Sequence, residues 1–180
     1  PFVDPVCGSG TIPIEAALYG HNIAPGINRS FISEQWVNLV PDGLSDEVRD
    51  EADALANYDI ELDIHGYDID QNMIDIAQEN SRAAGLTHDI TFKQLAVKDW
   101  QTSKVNGVIV ANPPYGERLS DKESVHELYR QMGELYRPLT TWSKYILTAD
   151  MEFEKYYGTP ATKRRKLYNG ALRTDLYQYW

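Results

Sequence analysis

The chain has 180 residues, 42% of them hydrophobic and 11% aromatic, which suits one domain with an ordinary buried core. Its net charge of −10 argues against a free-standing nucleic-acid binder, whose affinity comes mainly from basic contacts to phosphates, but not against a catalytic domain whose nucleic-acid grip sits elsewhere. No apolar run is long enough for a membrane helix, one cysteine rules out an internal disulfide and fits a reducing compartment, and none of the four histidines stands at metal-ligand spacing from Cys7 or another histidine, so no metal is expected.

Phe2-Val3-Asp4 reads as a strand in a chain that opens at Pro1 without a methionine, as expected of a domain cut from a longer protein. Val6-Cys7-Gly8-Ser9-Gly10-Thr11 follows, and then Ile12, Ile14, Ala16, Ala17 and Leu18 in a helical run. This is strand, glycine-rich turn, helix. Gly8 and Gly10 allow a tight turn and a close approach to a ligand, and Ser9 or Thr11 is expected to cap the helix. A lone Gly-x-Gly is weak, but the Asp4-Pro5 before it and the helix after it strengthen the signal. No Gly-Lys-Ser/Thr follows, so this is not a Walker A loop.

Residues 21–58 read as an insertion that fits no simple strand-helix unit. It contains turns at Ala24-Pro25-Gly26 and Pro41-Asp42-Gly43. Leu44, Val48, Ala52 and Leu55 then recur at helical spacing, with Ser45 or Asp46 as the expected N-cap. The segment suits either a wall of a substrate site or a packing element. Glu61 to Tyr67 is the second strand, and Asp68-Ile69-Asp70 closes it. A carboxylate at that strand end is placed to accept hydrogen bonds from ribose hydroxyls; Asp68 fits that role and Asp70 fits capping of the next helix, which ends at Gly85.

Ile90 to Val97 is the third strand, and Asp99 after it suits an adenine contact or a plain turn equally. Gly107 to Ala111 is an apolar, β-branched run typical of a buried strand. It stops at Asn112-Pro113-Pro114-Tyr115, because proline cannot donate to a sheet ladder. That leaves a carboxamide and two backbone carbonyls at the carboxyl end of a buried strand, the edge where ligands bind in open α/β sheets. Val125, Leu128, Tyr129, Met132, Leu135 and Tyr136 trace one helical face, read as core packing. Ser143 to Ala149 is a fifth strand, and Phe153, Tyr156 and Tyr157 suit a short helix ending at Gly158. Strand-like segments flank Asn169-Gly170, an expected type I′ hairpin turn. Lys163-Arg164-Arg165-Lys166 is the one strong basic run, either a solvated face or a phosphate contact.

The arrangement resembles the class I S-adenosylmethionine-dependent methyltransferases: an α/β, Rossmann-like, mostly parallel seven-stranded sheet with a C-terminal antiparallel hairpin. Asp4-Pro5-Val6-Cys7-Gly8-Ser9-Gly10-Thr11 looks like their first motif, and Asn112-Pro113-Pro114-Tyr115 is similar to the signature of enzymes that methylate planar exocyclic nitrogens. Asp4 to Ala17, Ile23-Ala24-Pro25-Gly26, Asn112 to Leu119 and Lys166 to Gly170 together look like the THUMP-associated bacterial ribosomal RNA guanine-N2 methyltransferases over essentially the whole chain. The N-terminal THUMP-type RNA-binding region of that family is absent, so residues 1–180 are expected to be its catalytic domain.

The resemblance implies S-adenosylmethionine as cofactor, S-adenosylhomocysteine as product, ribosomal RNA as partner, no membrane and a cytoplasmic location. It implies cofactor binding by Asp4, Pro5, Cys7, Gly8, Ser9, Gly10, Thr11, Asp68, Ile69, Asp99 and Asn112, and catalysis by Asn112, Pro113, Pro114 and Tyr115; side-chain chemistry adds Tyr115, Arg118, Lys163, Arg164 and Arg165 as substrate contacts, with a surface ion pair the other reading of Arg118. Guanine's amine is a poor nucleophile because its lone pair is delocalised into the ring. The Asn112 oxygen and the Pro113 carbonyl suit its two N–H bonds, and Tyr115 offers a ring for stacking. The same four residues suit an adenine N6 or a protein glutamine amide, and the fold alone suits a cofactor-binding module without turnover.

Overall fold

A computed structural model describes residues 1–115 and 119–180. The strands are β1 (Phe2–Asp4), β2 (Ile64–Asp68), β3 (Ile90–Gln94), β4 (Val108–Ala111), β5 (Ser143–Thr148), β6 (Lys163–Asn169) and β7 (Leu172–Tyr179). They form one seven-stranded sheet in the order β3-β2-β1-β4-β5-β7-β6. The pairs among β1 to β5 are parallel, and β7 runs antiparallel to both β5 and β6. This is the expected methyltransferase-type architecture. The strand order reverses direction at β1/β4, which opens a crevice at the carboxyl ends of those two strands.

The helices are α1 (Thr11–Gly20), α2 (Leu44–Ala54), α3 (Gln71–Ala83), α4 (Leu119–Tyr136) and α5 (Phe153–Tyr157). Alternation along the strands separates two cores. Phe2 and Ile64 point to the face where Ala17 of α1, Leu86 and Ile90 pack. Val3 and Ile109 point to the other, where Tyr129, Met132 and Tyr136 of α4 meet Phe153 and Tyr157 of α5. That second core is dense in rings: Tyr129 and Phe153 lie 4.9 Å apart edge-on, and Tyr157 and Tyr179 lie 4.5 Å apart. The helical stripe read from 125 to 136 is therefore core, with Tyr129, Met132 and Tyr136 fully buried.

Several local expectations are corrected. α1 is capped by Gly10 at φ 86°, with no side-chain cap from Ser9 or Thr11. α2 begins after Gly43 at φ 81°, not on a Ser45 or Asp46 cap. Glycine reaches the left-handed conformation at little cost, so the chain turns into each helix without a polar cap. Asp70 does cap α3, accepting from the Asn72 N–H at 2.9 Å. In the hairpin, Asn169 pairs with Leu172, so the two-residue loop is Gly170-Ala171. Gly170 has φ 60° and Ala171 is not among the positive-φ residues, the type II′ pattern rather than I′. The observed β3 stops at Gln94, because residues 97–99 wind into a 3₁₀ turn.

The insertion is tied down at the amino edge of the sheet. His21, buried at the end of α1, contacts the Asn57 carbonyl with Nδ1 at 2.9 Å and Asp89 with Nε2 at 2.7 Å, just before β3 begins. The Asn57 N–H returns to the His21 carbonyl at 2.7 Å. These anchors lie at the edge away from Asn112.

Candidate active site

The glycine turn is stitched between β1 and β2 by two carboxylates. Asp4, fully buried at the end of β1, accepts from the Val6 N–H at 3.1 Å. Asp68, at the end of β2, accepts from the Gly8 N–H at 2.9 Å and from the Asp70 N–H at 2.9 Å. The Cys7 N–H donates to the Tyr67 carbonyl at 2.8 Å, and Asn80 of α3 donates to the Ser9 carbonyl at 2.9 Å. Gly10 cannot carry a side chain, since a Cβ there would lie 2.9 Å from Ala77 and 3.1 Å from Phe92. Gly8, at φ 51°, instead faces open space where a Cβ would project. A side chain at Gly8 would project into the open space beside the turn.

Burial dominates the electrostatics of this corner. It raises the Asp4 carboxyl from 3.8 to about 7, and the nearby Asp68 charge adds to the rise while the Val6 N–H opposes it. Burial, then the charges of Asp4 and Asp68, push the Cys7 thiol up to about 12. Cys7 is therefore no nucleophile at neutral pH. Pro5 is buried beside it, and Thr11 is exposed at the first turn of α1. Ile69 is 72% exposed next to Asp68, and its carbonyl accepts from the Gln94 side chain at 2.9 Å. Asp99 is exposed beyond the end of β3.

Asn112 emerges from β4 directly beside the β1 turn. Val3 pairs with Ile109, so Asp4 and Asn112 sit at the same edge on neighbouring strands. The Asn112 side chain is exposed, and its Oδ1 accepts from the Tyr115 hydroxyl at 2.6 Å. Tyr115 thus presents a ring for stacking, and its hydroxyl fixes the asparagine. Pro113 is buried and Pro114 exposed. The Pro114 carbonyl accepts from the Tyr129 hydroxyl at 3.3 Å, and that hydroxyl is 2.9 Å from Thr148 Oγ1 at the end of β5. From the sequence Tyr129 reads as core, and the hydroxyl of a buried ring carries no sequence signal.

The remaining expected residues separate. Arg118 lies outside the described residues. Arg164 ion-pairs with the buried Asp175 at 2.5 Å and covers the Tyr177 ring at 4.9 Å. Lys163 and Arg165 are exposed on the edge strand β6, three strands from β4 and so about 14 Å away. Sequence reasoning passed over a second cluster: His126 of α4, Asp150 and Glu152 bring one ligand atom each within 4.8 Å of one another. It lies beside Tyr115, around a cavity of about 210 Å³.

Comparison with known proteins shows the family of the chain. YpsC of Bacillus subtilis strain 168 is 56% identical over 180 residues, covering all of this chain and 46% of YpsC. The ribosomal RNA large subunit methyltransferase K/L of Syntrophotalea carbinolica is 37% identical over 188 residues, 99% of this chain and 26% of that protein. The crystal structure of SMU.472 complexed with SAH superposes with a TM-score of 0.95 at 54% identity, over all of this chain and 48% of that one. The chain thus spans about half or less of the length of these relatives. Residues 1–178 match the UPF0020 model, described as the RMKL-like methyltransferase domain, and the chain belongs to that family.

Proposed function

We propose that this chain transfers a methyl group from S-adenosylmethionine to the exocyclic N2 of a guanine in large-subunit ribosomal RNA. The observation that carries the reading is the position of Asn112-Pro113-Pro114-Tyr115 at the carboxyl end of β4, next to the Asp4–Gly10 turn on β1. The ribosomal target is supported by the K/L relatives, and the cofactor by the S-adenosylhomocysteine complex of SMU.472.

The residues fit the cofactor on their own terms. The open side of Gly8 leaves room for close approach, and each Asp68 oxygen accepts one backbone N–H and keeps a lone pair for a ribose hydroxyl. Exposed Ile69 offers an apolar face to adenine, and Asp99 an acceptor further along the same edge. The bound cofactor supplies an electrophilic methyl on a sulfonium. Asn112 Oδ1 uses one lone pair on Tyr115 and has a second for an amine N–H. The Pro113 carbonyl takes the other N–H. Together they turn the amine lone pair out of conjugation, and the gain is positioning and electrostatics. The amine becomes acidic once methylated, so its proton leaves to water and no general base is required. Tyr115 stacks on the extruded base, a contact worth about 1–3 kcal/mol. Lys163 and Arg165 contact phosphate, while most of the grip on RNA comes from outside this acidic domain.

The test is mass mapping of ribosomal RNA from a strain lacking the gene. One N2-methylguanosine of the large-subunit RNA should vanish and return with the wild-type gene. Loss of an N6-methyladenosine instead would establish the adenine reading, and an unchanged set of methyl marks would refute both.

A further inference from the structure

The cavity beside Tyr115 is lined also by Lys122, His126, Ala149, Asp150 and Glu152. Its volume of about 210 Å³ admits one nucleobase. Asp150 is its most firmly fixed polar group. The Asp150 N–H donates to Thr148 Oγ1 at 3.0 Å, and the Asp150 carbonyl accepts from the Tyr177 hydroxyl at 3.3 Å. Its Oδ1 accepts from the Glu152 N–H at 2.8 Å, and its Oδ2 lies 2.9 Å from His126 Nε2. His126 is itself held by stacking on Tyr156 at 3.7 Å. The same Thr148 hydroxyl meets Tyr129, which bonds to the Pro114 carbonyl. Asp150 and the strand-end motif are thus two ends of one hydrogen-bonded chain.

We propose that Asp150 reads the Watson–Crick edge of the substrate base by accepting the N1–H of guanine, with His126 as its positioning residue. An ionised carboxylate is acceptor-only, and each Asp150 oxygen has one lone pair left after the contacts above. Guanine presents two neighbouring donors, N1–H and N2–H₂. Adenine presents an acceptor at N1, which would face the carboxylate lone pair to lone pair. A fixed carboxylate in the cavity lined by Tyr115, whose hydroxyl holds Asn112, therefore accepts guanine and rejects adenine, a discrimination that the four residues 112–115 do not themselves supply. A site built to pair a donor rejects an analogue lacking it by large factors, because its own polar group is left unpaired.

The inference rests on the guanine reading, and the experiment separates the two. The probes are transcripts of large-subunit ribosomal RNA carrying guanosine, 2-aminopurine riboside or adenosine at the methylated position. 2-Aminopurine keeps the N2 amine but has an acceptor at N1 and a hydrogen at C6 in place of the guanine oxygen, so the change of ratio in Asp150→Asn isolates the N1 contact. With the full-length natural protein, the guanosine transcript should react at least about 100-fold faster than the 2-aminopurine one. Asp150→Asn, which can donate from its amide, should shrink that ratio to about tenfold or less while cofactor affinity stays at the wild-type value. An unchanged ratio in Asp150→Asn overturns the inference and leaves the guanine assignment standing. Methylation of the adenosine transcript alone overturns that assignment and the inference with it. If Asp150→Asn lowers cofactor affinity as well, the ratio is taken from single-turnover rates at saturating cofactor, where a value unchanged from wild type still overturns the inference.

Discussion

Asp4 holds a carboxyl where charge is penalised. Burial raises it to about 7 from 3.8, with the Val6 N–H giving partial relief. A carboxyl raised in the folded state binds a proton there that the unfolded chain has already released. Its contribution is fully present below pH 4 and is lost as pH rises through 7. The wild-type melting temperature should therefore fall between pH 5 and pH 8 more than that of Asp4→Asn, which keeps the Val6 contact and cannot ionise; the difference corresponds to a few kcal/mol at most. Parallel melting curves for the two proteins would show that Asp4 does not bear this proton. The sequence placed Asp4 at a strand end beside a glycine turn, and that position is correct. It gave no sign that the side chain is sealed from water, because burial is a property of the layers that close over it.

At the scale of elements, α4 and α5 meet backbone to backbone. A Cβ on Gly133 would lie 2.0 Å from the Tyr157 carbonyl oxygen. Gly133→Ala should cost about 2–3 kcal/mol of stability, although alanine favours a helix interior by about 1 kcal/mol. A urea midpoint equal to or above wild type would mean that the two helices separate freely. The apolar period that revealed α4 is legible because one face alternates at helical spacing. The same signal misleads for α2: Leu44, Val48 and Leu55 share a face, yet each is at least 39% exposed. Periodicity reports which residues lie together, not whether anything covers them. The hairpin slipped by one residue for a related reason. Asn-Gly favours a turn, but cross-strand pairing from Lys163 to Asn169 decides which two residues form it.

For the whole molecule, order along the chain carried most of the topology. Parallel strands separated by helices lead to a doubly wound sheet, and the terminal hairpin inserts β7 between β5 and β6. The strand-end residues Asp4, Asp68 and Asn112 were legible because each sits where a buried strand breaks into polar chemistry. His126, Asp150 and Glu152 were not, because α4 and the loop after β5 come together only in three dimensions. The charge pattern is also a whole-molecule property. An acidic chain carries its basic run on the edge strand β6, where Lys and Arg discourage strand pairing with another chain.

In the proposed reading Asn112 holds the amine that receives the methyl group, and the decisive variant is Asn112→Ala in the full-length protein. Single-turnover methyl transfer to ribosomal RNA and calorimetric cofactor affinity should be measured side by side. Affinity should stay near wild type if the asparagine faces the substrate amine, and the rate should fall by at least about 100-fold, equivalent to about 2.7 kcal/mol of barrier. Transfer by Asn112→Ala at the wild-type rate would contradict that reading and reduce the strand-end motif to a proline-terminated loop.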